Sequence, residues 1–179
     1  MDPEHCEFLA EDEMIQIIPR RNEPVLHLVC GDVGPLEAGV PVQVPLWLAV
    51  DLRRKQHCEI VPPYWFCLDE LKRLVATEGD TVGLSRLPPF IFEISNILVR
   101  IAKEDIVDGD QIKVLIQDLW DKREAKLRTS SLKLLSQHSH AHVRLDAVQP
   151  LEVSSIRPNL SACKHIGRMV RNLHSVQPD

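Results

Sequence analysis

The spacing of apolar residues changes near Trp65, and this change restricts the chain to folds that join a small β-rich part to a larger helical part. Before Trp65 the apolar residues form short, β-branched runs that stop at proline or glycine, a pattern typical of strands. After Trp65 they recur about every 3.6 residues, which indicates amphipathic helices. The sequence therefore predicts an α+β, mainly α fold, with a small β-rich domain at 1–62, a larger bundle-like helical domain at 63–175 and a polar tail at 176–179.

The predicted β-rich domain contains three strands and two short helices. The strands are expected at Met14–Pro19, Val25–Val29 and Cys58–Val61, and residues 40–44 should be extended because a proline follows each of two valines. Pro45 suits the first turn of a helix that runs from Leu46 to about Lys55. A short helix is also expected at Glu4–Glu13.

Four helices are predicted after Trp65, at Leu68–Thr77, Pro89–Lys103, Asp110 to about Leu135, and Asn159–His174. The second is apolar around most of its circumference, so we expect it to be covered on two sides. The third would be about 40 Å long at a rise of ~1.5 Å per residue. Because that exceeds what a chain of this size needs to cover its own core, we expect this helix to present surface to another protein.

The long third helix has a core stripe formed by Ile112, Leu115, Ile116, Leu119 and Leu127. Trp120, next to Leu119, widens this stripe to one side. Two pairs of opposite charge lie one turn apart, Asp118 with Lys122 and Glu124 with Arg128, and should support the helix.

Composition excludes several classes of function. The net charge of −5 and the pI near 5.9 argue against tight, sequence-independent binding of nucleic acid by this chain alone. The five cysteines are widely spread and form no C-x-x-C pair, which favours reduced thiols in cytosol or nucleus. We expect no signal peptide, because the first residues are acidic, and no membrane span, because no run of about eighteen apolar residues occurs.

Two segments resemble ligand-binding motifs. The glycine-rich stretch Gly31–Gly39 lacks the spacings and the lysine of phosphate-binding loops and carries two acids, so we interpret it as a structural loop. The segment His138–His142 contains three histidines that could share a face, but no cysteine or carboxylate completes a metal site before Asp146. A solvated loop is the simpler interpretation, and a metal-dependent enzyme or sensor using this cluster is kept as the alternative function.

No sequence signature of nucleophilic catalysis is present. His57 and Cys58 are neighbours on a predicted strand, so their side chains should point to opposite faces, and Cys58 is expected in the core. Arg53, Arg54 and Lys55 either complement a helix dipole or meet an acidic partner. A second basic group on the last helix forms either a solvated face or a contact with nucleic acid or an acidic protein: Lys164, Arg168 and Arg171.

Six short segments, taken in chain order, carry a resemblance to a known family. They are Glu7–Glu11, Ile17–Pro19, Gly31–Pro35, Val44–Ala49, Cys58–Trp65 and Asp118–Arg128. Together they resemble the PSF-two subunit family of the eukaryotic GINS complex, and the resemblance extends to about Arg157–Pro158. Each segment alone is a weak signal, whereas the ordered set is specific. Two stretches depart from the family pattern, Thr77–Arg86 and His138–His142.

The resemblance implies a non-catalytic scaffold subunit in a heterotetramer of four related GINS subunits. Such an assembly joins the MCM ring and the Cdc-forty-five protein in the replicative helicase, which implies a nuclear protein without cofactor, metal or small-molecule substrate, touching DNA only indirectly. It also implies a B-type domain before an A-type helical domain. The residues carried over to the core or to subunit interfaces, two roles that the sequence does not separate, are Leu46, Trp47, Trp65, Leu119, Trp120, Arg123 and Lys126.

Overall fold

In the part of the chain that the computed structural model describes, strands occur only before Trp65 and helices dominate after it. The described residues are 2–29, 31–106, 108–136, 147–158, 161 and 165. The first part contains α1 (Pro3–Ala10), β1 (Met14–Pro19), β2 (Leu26–Leu28), β3 (Gly31–Val33), β4 (Val42–Pro45), α2 (Leu46–Arg54) and β5 (Cys58–Val61). The second contains α3 (Leu68–Asp80), α4 (Ile91–Ile101), α5 (Gly109–Ser136) and a helical stretch at residues 150–158, here α6. The predicted fold class, a small sheet followed by a larger helical part, is confirmed.

The main sheet is antiparallel, and β1 lies in its centre between β4 and β5. In this register Ile15 faces Val44 and Ile17 faces Ile60. Burial alternates along β1, so one face of the strand packs inward, where α2 contacts all three strands. The strands β2 and β3 form a separate hairpin.

Helix α4 lies at the centre of the molecule, in agreement with its apolar sequence. Five of its apolar residues are buried, Ile91, Phe92, Ile94, Ile97 and Leu98, and so are Glu93 and Ser95. Helices α1 and α2 pack on it from the β-rich part, and α5 packs on it from the other side. A continuous core therefore joins the sheet to the helices.

Several predicted boundaries and contacts need correction. Helix α3 runs three residues beyond Thr77, and the stretch predicted as a glycine loop contains β3. Lys122 donates to the carbonyl oxygen of Val75 and does not pair with Asp118, whereas Arg128 and Glu124 do pair. The predicted helix Asn159–His174 lies mostly outside the described residues.

Helix α6 was missed by the sequence analysis, although its first turn carries a recognisable signal. Pro150 occupies the first helical position, where a missing N–H costs nothing. Glu152, two residues later, accepts a hydrogen bond from the backbone N–H of Gln149 at 2.8 Å, which is half of a capping box. Gln149 in turn accepts the backbone N–H of Phe90, so the start of α6 is tied to the start of α4.

Candidate partner interface

A buried cluster of charged side chains joins three helices around Arg123. Its guanidinium donates from Nε and Nη2 to the two oxygens of Glu152, at 2.5 and 2.9 Å, and from Nη1 to Glu78 at 2.9 Å. The remaining N–H groups reach the carbonyl oxygens of Ser85 and Ala147. Every guanidinium N–H therefore has an acceptor in the chain, and the paired bonds to Glu152 fix α6 against α5.

Lys126, three residues further along α5, closes the C-terminal end of α3. Its ammonium donates to the Glu78 carboxylate at 2.7 Å and to the backbone carbonyl of the same residue. It also donates to the carbonyl oxygens of Thr81 and Gly83, at 2.7 and 2.9 Å. A cation at this position complements the negative end of α3 and satisfies carbonyls that a helix end leaves free.

The charges of this cluster are stable at neutral pH. Burial alone would raise the pKa of Glu78, but hydrogen bonds from Lys126 and Ser85 together with the charge of Arg123 outweigh it and hold that pKa below its usual value. Burial would lower the pKa of Arg123, but bonds and charges from Glu152 and Glu78 raise it above its usual value. Both groups therefore stay ionised at neutral pH, and their hydrogen-bonding partners are supplied by the chain itself.

Trp120 lies half-buried where α4, α5 and α6 meet. Its ring packs edge-to-face on Phe92, with the ring centroids 4.9 Å apart, an arrangement favoured by aromatic quadrupoles. Open grooves of about 310 and about 820 Å³ flank the indole, and Leu151 of α6 lines both. The smaller groove is also lined by Ser95, Asn96, Val99, Ile116 and Gln117. The indole is therefore partly packed in the chain and partly available to another surface.

The other two tryptophans differ in exposure. Trp65 is buried, packs edge-to-face on Phe66 and belongs to the core. Trp47 is half-buried at the start of α2, beside the buried Leu46. The backbone N–H of Trp47 donates to the carbonyl oxygen of Glu11, which holds the start of α2 against the end of α1.

Arg53 forms a second buried charge cluster, at the joint between the sheet and the helices. Its Nε lies 2.7 Å from Asp105, and its Nη2 donates to Asp105 at 2.9 Å and Glu104 at 3.0 Å. Asp105 also accepts the backbone N–H of Ile60 in β5. The sequence left open whether Arg53, Arg54 and Lys55 meet an acidic partner, and for Arg53 that partner is Asp105 of the same chain. Local spacing could not have identified it, because the two residues are 52 positions apart.

The cysteine and histidine considered for catalysis are used structurally. Cys58 is fully buried, as predicted, and burial raises the pKa of its thiol to about 11, so that it stays protonated. The ring of His57 lies 2.7 Å from a carboxylate oxygen of Glu23. Among the residues that the structure describes, no three His, Cys, Asp or Glu side chains come together as a metal site.

The seven residues carried over by resemblance divide into two groups. Leu46, Trp65, Leu119 and Arg123 are buried inside the chain. Trp47, Trp120 and Lys126 keep exposed area. The basic group Lys164, Arg168 and Arg171 and the segment His138–His142 lie outside the described residues.

Comparisons with known proteins agree over the whole chain. Residues 2–61 match the PSF2 N-terminal domain, and residues 65–170 match the GINS complex protein helical bundle domain. A probable DNA replication complex GINS protein PSF2 of Brugia malayi is 48% identical, with 98% of this chain and 93% of that protein aligned. The Caenorhabditis elegans protein of the same name is 45% identical over 99% of both chains. The human DNA replication complex GINS protein PSF2 is 35% identical over 99% of this chain and 96% of its own length. None of the helices in the described residues is long and apolar enough to span a membrane.

Proposed function

The chain belongs to the PSF2 family of DNA replication complex GINS proteins, and we propose that it is a non-catalytic scaffold subunit of a GINS heterotetramer. In this proposal its direct partners are three sister GINS subunits. The assembled complex is an accessory of the replicative helicase, where it acts with the MCM ring and the Cdc-forty-five protein in the nucleus.

The observation that supports a scaffold role best is the half-buried indole of Trp120 between two grooves. Aromatic residues at the centre of an interface often supply most of its binding free energy, particularly when they are already oriented by their own chain. Phe92 orients the Trp120 ring, and apolar side chains from three helices surround it. A helix of a sister subunit that covered this ring would bury apolar area without rearranging the chain.

The buried charges support the same role by making the surface rigid. Arg123 holds α3, α5 and α6 in one arrangement, and its bonds to Glu152 join the two helices that carry Trp120 and Leu151. A preorganised surface binds more tightly because less conformational entropy is lost on association. With a net charge of −5, the chain itself offers little attraction to DNA, so we propose that DNA is contacted only indirectly.

Co-expression with the three sister subunits tests this function. The chain expressed alone should be poorly soluble, and a stoichiometric four-chain complex should be recovered when all four are present. Trp120→Ala should lower the affinity of the complex by at least about 2 kcal/mol, the range of interface hot spots, while the complex that is recovered keeps its helical content.

Phe8→Ala is the matched control, because Phe8 is an exposed aromatic residue on α1 and lines neither groove. It should leave the recovered complex unchanged. A lone chain that is monomeric, unfolds cooperatively and ignores the sister subunits would refute the scaffold proposal. Equal losses for both variants would refute the assignment of Trp120 to the interface.

A further inference from the structure

Tyr64, the only tyrosine of the chain, lies at the corner between β5 and α3, with 81% of its surface exposed. Pro62 and Pro63 restrict the backbone before it, and the buried Trp65 and Phe66 anchor the backbone after it. A tyrosine has only two side-chain torsions, so covering it costs little conformational entropy. The corner thus presents an aromatic ring on a fixed support.

An open groove of about 510 Å³ adjoins this ring and is separate from the grooves at Trp120. Its apolar lining comes from the corner, from α3, from the loop between α4 and α5 and from the start of α5: Pro62, Pro63, Phe66, Leu68, Ile106 and Ile112. Asp105 and Asp108 are its acidic lining residues. The groove can therefore take an apolar side chain with a positive charge beside it.

The charge on the side of the groove formed by residues 103–110 is negative. Residues 103–110 contain four carboxylates, Glu104, Asp105, Asp108 and Asp110, and one base, Lys103. Within the described part of the chain, Arg53 is the only cation paired with any of these carboxylates, and it binds Glu104 and Asp105. Asp108 is exposed and can face a ligand.

We propose that this groove, which we call the Tyr64 groove, binds a segment of another protein that carries an apolar residue next to lysine or arginine. The apolar residue enters the groove, and the cation lies over the Tyr64 ring and near Asp108. The same negative charge repels phosphate, so the proposal commits to a protein segment and not to nucleic acid or an anionic membrane. The proposal does not depend on the Trp120 interface, because the two surfaces share no residue.

A random peptide library displayed on phage identifies the ligand class without assuming a partner. Phage are first depleted on the double variant Tyr64→Ala/Asp108→Asn and then selected on the wild-type full chain, held in its four-chain complex if that is needed for solubility. We expect the enriched peptides to share an aliphatic or aromatic residue beside a lysine or arginine.

Single variants then measure each contribution, with a synthetic enriched peptide and fluorescence anisotropy. Tyr64→Ala should weaken binding at least about tenfold. Asp108→Asn should weaken it about threefold and reduce its salt dependence. Asparagine suits this position because Asp108 has a φ of 58°, a conformation that asparagine adopts readily. Phe8→Ala, at the other highly exposed aromatic residue, should bind the peptide like the wild type.

Three results would overturn the proposal. They are the absence of any peptide enriched on the wild type over the double variant, enrichment of acidic peptides, and displacement of the peptide by single-stranded DNA. Circular dichroism of both single variants should match the wild type, since both side chains are exposed, so lost binding cannot be assigned to unfolding.

Discussion

Arg123 and Arg53 are both almost completely buried, yet the carboxylates that face them differ in their access to water. Around Arg123, Glu78 is fully buried and Glu152 is 2% exposed. Around Arg53, Asp105 is 5% exposed but Glu104 is 81% exposed. The first cluster lies inside the helical part, whereas the second lies at the joint between the sheet and the helices.

This difference in the exposure of the carboxylates determines how much stability is lost when each arginine is removed. A buried ion pair is costly to break, because the partner that remains keeps a charge without water or a counter-ion. If Arg123 is removed, Glu152 remains in that state and Glu78 keeps only Lys126 as a cation, whereas Glu104 can be hydrated without moving. The helical part should therefore depend more strongly on its arginine than the joint does.

The largest expected effect is that of Arg123→Ala. It should lower the free energy of unfolding by about 3–5 kcal/mol, because Glu78 and Glu152 lose their shared cation inside the core. Urea unfolding of the chain, or of its four-chain complex, measures the change. Arg128→Ala is the control, since Arg128 forms an exposed pair with Glu124 on the same helix, and it should cost about 0.5 kcal/mol or less.

A combined variant separates the stability lost with the hydrogen bonds of Arg123 from the stability lost because buried carboxylates have no counter-ion. Arg123→Met with Glu78→Gln and Glu152→Gln should be more stable than Arg123→Met alone, because the carboxylate charges are removed together with the cation. If the triple variant is the less stable one, the penalty does not come from uncompensated charge, and the comparison between the two clusters fails.

Glu78→Gln is the next largest expected change, with a pH dependence of known sign. At neutral pH the free energy of unfolding should fall by about 1.5–3 kcal/mol, the range for hydrogen bonds to charged groups. The pKa of Glu78 is held below its usual value in the folded state, so its contribution is present above the unfolded pKa of about 4.3 and is lost as pH falls through the folded pKa. Melting curves from pH 7 to pH 3 should therefore converge for wild type and variant at the acid end. A constant difference would contradict this account.

Arg53→Ala should have a smaller effect, about 2 kcal/mol, because Asp105 keeps the hydrogen bond from Ile60 and Glu104 is hydrated. Arg54→Ala, the exposed neighbour on α2, serves as the matched control and should leave the melting temperature nearly unchanged. If Arg53→Ala proves as unstable as Arg123→Ala, the exposure of the facing carboxylates does not determine how much stability is lost when the arginine is removed.

The elements that the sequence predicted best are those whose pattern is local. The strands β1 and β5 have the predicted bounds, because β-branched runs ended by proline leave few alternatives. The burial of α4 also followed from its apolar circumference. Helix α6 was missed, although Pro150 and Glu152 mark its first turn.

The electrostatic contacts could not be predicted in the same way. Arg53 and Asp105 lie 52 positions apart, and Arg123 and Glu78 lie 45 apart, so only the folded chain brings them together. Sequence could place Arg123 and Trp120 in the core or at an interface but could not choose between them. Glu93 is the clearest omission, since a single carboxylate in the most apolar helix gives no sign of whether it points inward.

Glu93 tests the comparison from the opposite direction, because it is a buried carboxylate that forms no ion pair among the residues that the structure describes. Neither of its oxygens has a hydrogen-bond partner among the described residues. Burial, reinforced by the charge of Glu152, raises its pKa, while the backbone N–H groups of Glu93 and Leu151 lie close enough to offset part of that rise.

For an acid with a raised pKa in the folded state, stability is highest below the unfolded pKa and falls as pH rises through the folded pKa. Glu93→Gln removes this titration and should stabilise the chain at pH 7.5 by less than about 1 kcal/mol, since glutamine also buries polar atoms. Below about pH 4 the two proteins should melt alike, because both carry a neutral side chain there. A variant less stable than the wild type at pH 7.5 would mean that the Glu93 carboxylate is compensated in the fold, as those of Glu78 and Glu152 are.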